Sequence, residues 1–339
     1  MSSLHIAGLS CVLLGGILNG TFILPMKRMK AWSWENIWLA YSVVAMVVLP
    51  WALAFATVPN LGVLIEQCSW GALIKIMGFG FGWGVGSVFF GLGVSRIGMA
   101  LGYATVLGIT ASLGSLLPLA VLHPDRLLTG QGYAMMAGTI LVVLGLASLA
   151  IAGRKREKET QSPATETARS GFAVGMVICV LSGIFSAMLN FSFVFGKELV
   201  DRSVPGAGTT MGANPVWALA LSAGFLANAG YCVFLLNKNH SWTGFLRGKT
   251  LSYASGISVM ALLWFGAIVV YGAGAADLGA LGGVVGWPLL MTMTVITANI
   301  WGAVTGEWTQ ASRASRTYWW SGIAVLLIAI TVISRGGAG

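Results

Sequence analysis

Ten stretches of roughly 20 apolar residues, separated by short polar breaks, dominate this 339-residue chain. A bilayer's hydrocarbon core, about 30 Å thick, is crossed by about 20 helical residues. The runs fall at roughly 5–24, 37–57, 71–94, 99–121, 131–152, 171–195, 214–236, 251–275, 278–302 and 317–334. None alternates apolar with polar, which excludes a transmembrane β-barrel. Asp, Glu, Lys and Arg together make up 9% of residues, against about 25% in an ordinary soluble domain. Too little charge is present to cover a water-facing surface, so the outer face is expected to meet lipid. The expected fold is an all-α membrane protein of ten transmembrane helices.

The net charge of +9 does not indicate nucleic acid. The basic residues sit in short clusters between apolar runs, as membrane flanks do, rather than in a stripe interleaved with aromatics. The four cysteines, Cys11, Cys68, Cys179 and Cys232, lie far apart with no metal-ligand spacing, so neither a zinc site nor a disulfide framework is expected. The first charges, Lys27, Arg28 and Lys30, follow the first apolar run. With no basic stretch ahead of it, that run reads as a retained helix and not a cleaved signal.

Residues 153–170 (GRKREKETQSPATETARS) are polar and lack apolar periodicity. They are expected to form a solvated cytoplasmic linker between two five-helix halves, 1–152 and 171–339. The halves echo each other. Trp83, Gly91-Leu-Gly93 and Ile97-Gly98 stand 181 positions before Trp264, Gly272-Ala-Gly274 and Leu278-Gly279. Gly16-Ile17 matches Gly183-Ile184, and Asn36-Ile-Trp38 matches Asn214-Pro-Val-Trp217 with one residue inserted. Five is odd, so a second copy enters the bilayer upside down, the inverted-repeat plan of many secondary transporters. One side collects fourteen of the Lys and Arg residues and the other five. The positive-inside rule makes the first side cytoplasmic and puts both termini outside. The hinge between the third and fourth runs carries Arg96 and the matching hinge between the eighth and ninth carries Asp277 instead, as that rule requires of opposite membrane faces.

No catalytic constellation is visible. His5, His123 and His240 are scattered, and HExxH, GxSxG and paired carboxylates are lacking. An enzyme is therefore not expected, nor a cofactor or metal. Asn19, Asn190, Asn228 and Asn299 lie inside apolar runs. A membrane-buried amide must pair with another helix or line a cavity, because leaving it bare costs several kcal/mol. Its joint donor and acceptor character also suits sugar hydroxyls. Trp83, Trp264, Tyr271 and Trp287 are the deep aromatics on which a sugar's C–H face could stack. Trp32, Trp34, Trp38, Trp70, Trp308, Trp319 and Trp320 sit near run ends and read as an interfacial belt. Proton coupling requires a titratable group. Glu307, Asp277 and Lys75 are candidates near helix ends, as are Glu35 and Glu198, and no carboxylate falls in mid-membrane.

Several stretches carry a resemblance. They are Pro25-Met-Lys27, Lys30-Ala-Trp32-Ser33-Trp34-Glu35, Trp38 and Leu49-Pro50-Trp51, then Gly91-Leu92, Gly98-Met99 and Gly183-Ile-Phe-Ser186-Ala. Asn228, Gly230, Cys232, Trp264, Tyr271, Trp287 and Glu307-Trp308 continue it along nearly the whole chain. With these residues the sequence resembles the L-rhamnose–proton symporter family of the drug/metabolite transporter superfamily. The resemblance implies a ten-helix bacterial inner-membrane symporter taking up L-rhamnose or a related deoxy-sugar with protons by alternating access. Ala267, Gly272 to Ala276 and Ser87-Val88-Phe89 are smaller or less amide-rich than expected of an enterobacterial rhamnose carrier. Two other readings stay open. One is an exporter of drugs or metabolites from the same superfamily; the other is a membrane sensor or scaffold without flux.

Overall fold

The computed structural model describes residues 3–160, 172–248 and 250–336. Ten helices in it are long and apolar enough to span a membrane. They are α1 (Ser3–Arg28), α2 (Trp34–Thr57), α3 (Trp70–Ile97), α4 (Met99–Leu122), α5 (Gly130–Glu159), α6 (Phe172–Phe195), α7 (Asn214–Lys238), α8 (Leu251–Asp277), α9 (Gly279–Val304) and α10 (Arg313–Gly336). Large apolar side chains such as Phe55, Ile74 and Leu262 stand more than half exposed on the outer surface, where only lipid would make their exposure favourable.

The ten expected runs correspond to these ten helices, most of which extend further at one or both ends. α10 begins at Arg313, and α5 carries on as helix through 153–160, the first part of the stretch read as a linker. The remaining residues of that stretch, 161–170, lie outside the described residues. Local breaks have local causes. Pro50 has no N–H to donate backward, and the turn before it, Val44–Val48, widens to a π-helix. Gly98 links α3 to α4 at φ +88° and ψ 156°, a region open only to glycine. Gly279 turns α8 into α9 at φ +75°.

Helix neighbours follow a regular scheme. α1 packs on α8 and α9, while α6 packs on α3 and α4. α2 meets α7, α4 meets α9, and α5 meets α10. Small residues set these close approaches. A methyl on Gly145 would stand 2.7 Å from Leu326 of α10, and one on Gly322 would stand 2.8 Å from Leu149 of α5. In α3, Gly80 and Gly84 face backbone carbonyls of α7, while Gly82 and Gly86 face Met188 and Phe185 of α6. Two glycine stripes, each with a four-residue spacing, thus let one helix lie against two others, as small-xxx-small spacing does.

Candidate functional site

The middle of the molecule is aromatic. Trp83 of α3 and Trp264 of α8 stack with ring centroids 5.5 Å apart and planes 21° apart. Tyr41 of α2 meets Trp264 edge-on at 6.1 Å, and Trp38, one helical turn away, packs on Tyr41 at 5.1 Å. Trp38 donates its indole N–H to Asn228 Oδ1 at 3.0 Å, and Ser87 Oγ donates to the same oxygen at 2.9 Å. Ser87 lies one turn beyond Trp83 on α3, so Asn228 adjoins the Trp83–Trp264 stack. Its amide nitrogen donates to Gly224 O at 3.1 Å.

A second polar node lies toward the α8–α9 turn. Asn190 is fully buried and uses every group it has. Its Nδ2 donates to Gly114 O at 2.7 Å and Gly283 O at 2.9 Å, and its Oδ1 accepts from Tyr271 Oη at 2.5 Å. Pro118, four residues after Gly114, has no N–H to give back, so the Asn190 amide satisfies a carbonyl that the helix would otherwise leave bare in a low-dielectric interior. Tyr271 packs edge-on to Trp287 at 5.6 Å, and Trp287 Nε1 donates to Thr110 O at 3.1 Å. Phe193 stacks on Trp217 at 5.2 Å and meets Tyr271 edge-on at 5.8 Å. Tyr271 and Trp287 are 0% and 2% exposed.

The remaining sequence candidates do not join these nodes. Asn19 Nδ2 donates to Thr294 Oγ1 at 3.1 Å across the α1–α9 contact. Asn299 donates to Val295 O and accepts the indole N–H of Trp319 at 3.0 Å. Trp38 and Trp319, expected in the interfacial belt, instead anchor helix amides. Trp34, Trp70 and Trp320 are exposed, as belt residues are.

The titratable candidates are dispersed. Lys75 is exposed. Asp277 is half-buried at the end of α8, its Cβ about where a methyl on Gly8 of α1 would touch, 3.1 Å away. Glu307 lies just past α9 and pairs with Lys27 at 3.1 Å and Arg156 at 3.3 Å, tying the ends of α1 and α5 to the α9–α10 turn. Arg156 also stands over Trp308, 4.8 Å from the ring centroid. Outside the membrane-spanning helices, Glu198 accepts from Ser69 Oγ at 2.6 Å and Ser69 N at 2.9 Å, which brings its carboxyl down to about 2. The same Ser69 hydroxyl caps α3 by accepting from Ala72 N.

Among the described residues, Glu35 is the one charged side chain that is buried, at 5% exposure. Its Oε1 accepts from Ser241 Oγ at 2.6 Å and Asn239 Nδ2 at 3.1 Å, and neighbouring Asn36 donates to Ser241 O at 3.0 Å. The α7–α8 turn thus folds over the start of α2. In sequence Glu35 reads as an ordinary first-turn acid. The run Asn237-Lys-Asn-His-Ser241, rich in short polar donors, was the available hint.

The family model described as the L-rhamnose-proton symport protein matches residues 1–339. The chain belongs to that family. Similar proteins include an L-rhamnose-proton symporter of Escherichia coli O17:K52:H18 (strain UMN026 / ExPEC), 28% identical over 346 positions covering 100% of both chains. L-rhamnose-proton symporters of Shigella boydii serotype 18 (strain CDC 3083-94 / BS512) and Shigella dysenteriae serotype 1 (strain Sd197) match to the same extent. The members of this L-rhamnose-proton symport family are carriers, so the chain is a multi-pass membrane transporter and not an enzyme.

Proposed function

We propose that this chain takes up L-rhamnose, or a deoxy-sugar close to it, together with protons, by alternating access across a bacterial inner membrane. The observation that carries the reading is the central Trp83–Trp264 stack with Asn228 and Ser87 beside it. Aromatic faces suit the C–H face of a sugar, and the amide and hydroxyl suit its hydroxyls. Asn228 and Trp264 form the core of the proposed sugar site. Asn190, Tyr271 and Trp287 bound it on the side of the α8–α9 turn. Asn19 and Asn299 serve to hold helices together.

In this reading residues 1–152 and 171–339 are inverted five-helix repeats. Exchanging α1–α5 with α6–α10 returns the same scheme of helix neighbours. The positions correspond in detail. Gly8 lies against Asp277 and Leu278, and Gly175, 167 positions on, lies against Arg96 and Ile97, 181 positions before those two. Gly145 and Gly322 contact each other's helix reciprocally, as residues about a two-fold axis do. Both termini and the α8–α9 turn lie outside, with 161–170 in the cytoplasm.

Of the three titratable candidates, Glu307 is the proposed proton-responsive group, because a proton there dissolves its pairs with Lys27 and Arg156 together. Among the described residues Asp277 and Lys75 form no comparable bridge. Counterflow of labelled L-rhamnose in vesicles, with competing sugars at two pH values, tests the function. Saturable exchange competed by deoxy-sugars is expected. Equal accumulation with and without a pH gradient would refute proton coupling, and exchange indifferent to every sugar would favour the exporter reading.

A further inference from the structure

The two ends of the molecule differ where the repeats should match. Tyr271 corresponds to Phe90, 181 positions earlier. Within α9 the offset is 184, because Gly16 lies against Leu290 and Met293 where Gly183 lies against Val106 and Ile109, and so Trp287 corresponds to Tyr103. Both pairs pack edge-on, at 5.6 Å and 68° for the first and 4.7 Å and 72° for the second. The first pair is buried and locked against Asn190, Phe193 and Trp217. Phe90 and Tyr103 are half-buried, and among the described residues no ring of the other repeat packs on them. The outer end is therefore shut and the inner end is looser, the asymmetry of a carrier resting with one gate closed.

The closed end shows what closing the open end would look like. Phe193 corresponds to Met26 and Trp217 to Trp38, the latter through the same one-residue insertion that relates Asn36-Ile-Trp38 to Asn214-Pro-Val-Trp217. Trp38 now lies on Trp34 and Tyr41 and bonds Asn228. Resting on the inverted-repeat reading above, we propose that Phe90 and Tyr103 are the inner gate, and that it closes by seating Phe90 against Trp38 and Met26. The cost of holding either gate shut is also visible. Trp217 Nε1 is buried and has no hydrogen-bond partner among the described residues. Water entering an opened outer gate would satisfy it, so the closed arrangement is poised and not permanent.

The test uses full-length protein with Cys11, Cys68, Cys179 and Cys232 replaced, carrying Met26→Cys with Phe90→Cys. Disulfide formation between them is expected to be slow at rest and to accelerate during sugar uptake. Once formed it should abolish uptake, which dithiothreitol restores. A link that never forms during turnover, or forms without loss of uptake, overturns the gate. If the pair does not reach the membrane, a lone Tyr103→Cys carries the test. Its alkylation should slow when sugar and an inward proton gradient are supplied, and an unchanged rate overturns the gate equally. The underlying symmetry is checked separately, by labelling Ser95→Cys and Ala280→Cys with an impermeant maleimide. Labelling from opposite faces leaves the repeats standing whatever the gate result; labelling from one face overturns both.

Discussion

Replacing Asn190 with alanine should be the most destabilising single change in the half of the protein toward the α8–α9 turn. The side chain makes three hydrogen bonds, to Gly114 O, Gly283 O and Tyr271 Oη, and is 0% exposed. Interhelical hydrogen bonds in membranes are worth about 0.6 kcal/mol each, with a maximum near 1.7. Three of them set a loss of about 2 kcal/mol, and the stranded Gly114 carbonyl with the vacated volume carries it to about 3–4 kcal/mol. Tyr271→Phe removes one bond and keeps the ring, so its cost should stay at about 0.6–1.7 kcal/mol. The assay is reversible unfolding in mixed micelles on titration with a denaturing detergent. It is completed by the double-mutant cycle of Asn190→Ala with Tyr271→Phe, whose coupling energy isolates the shared bond. If Asn190→Ala is no worse than Tyr271→Phe, or if the two effects simply add, Asn190 does not organise this node.

Other outcomes follow from the same packing. Gly80→Ala drives a methyl into the α7 backbone at Ala220 and should cost about 1–3 kcal/mol, whereas Gly78→Ala, facing open space, should be neutral or slightly stabilising in thermal melts. Glu35→Ala strips Asn239 and Ser241 of their acceptor, and limited proteolysis at the α7–α8 turn should become faster while Glu35→Gln keeps much of the protection. Glu198, held at about 2 against an ordinary 4.5, contributes stability that is complete above the ordinary value and fades only as pH falls toward 2. The melting difference between parent and Glu198→Gln should therefore persist at pH 4 and shrink below it. A difference already gone at pH 4 would contradict the Ser69 contacts.

The helices were legible because a bilayer makes length and apolarity nearly sufficient. The ends were less so. Arg154, Lys155, Arg156 and Lys158 look like solvated linker in sequence, yet they ride on an extension of α5 that brings Arg156 to Glu307. Of the four amides, sequence gave their need for partners but not the partners, which lie on other helices. Asn190 and Tyr271 are 81 positions apart and meet only through the α6–α8 geometry. Glu35 reads in sequence as one more acid near a helix end, because the groups that bury it come from 204 positions away. The coupling groups were hardest to read, since single charges at helix ends look alike until their neighbours are known.

The stacked indoles of Trp83 and Trp264 have one more implication. If the two halves descend from a single five-helix chain that once paired with itself, these were formerly one position facing its own duplicate. Such a spot admits few residue types. A lysine or a glutamate there would repel its twin, and a β-branched side chain would collide with it. A flat ring can lie on another ring with either partner uppermost, so the contact could survive both the ancestral dimer and the later divergence of its halves.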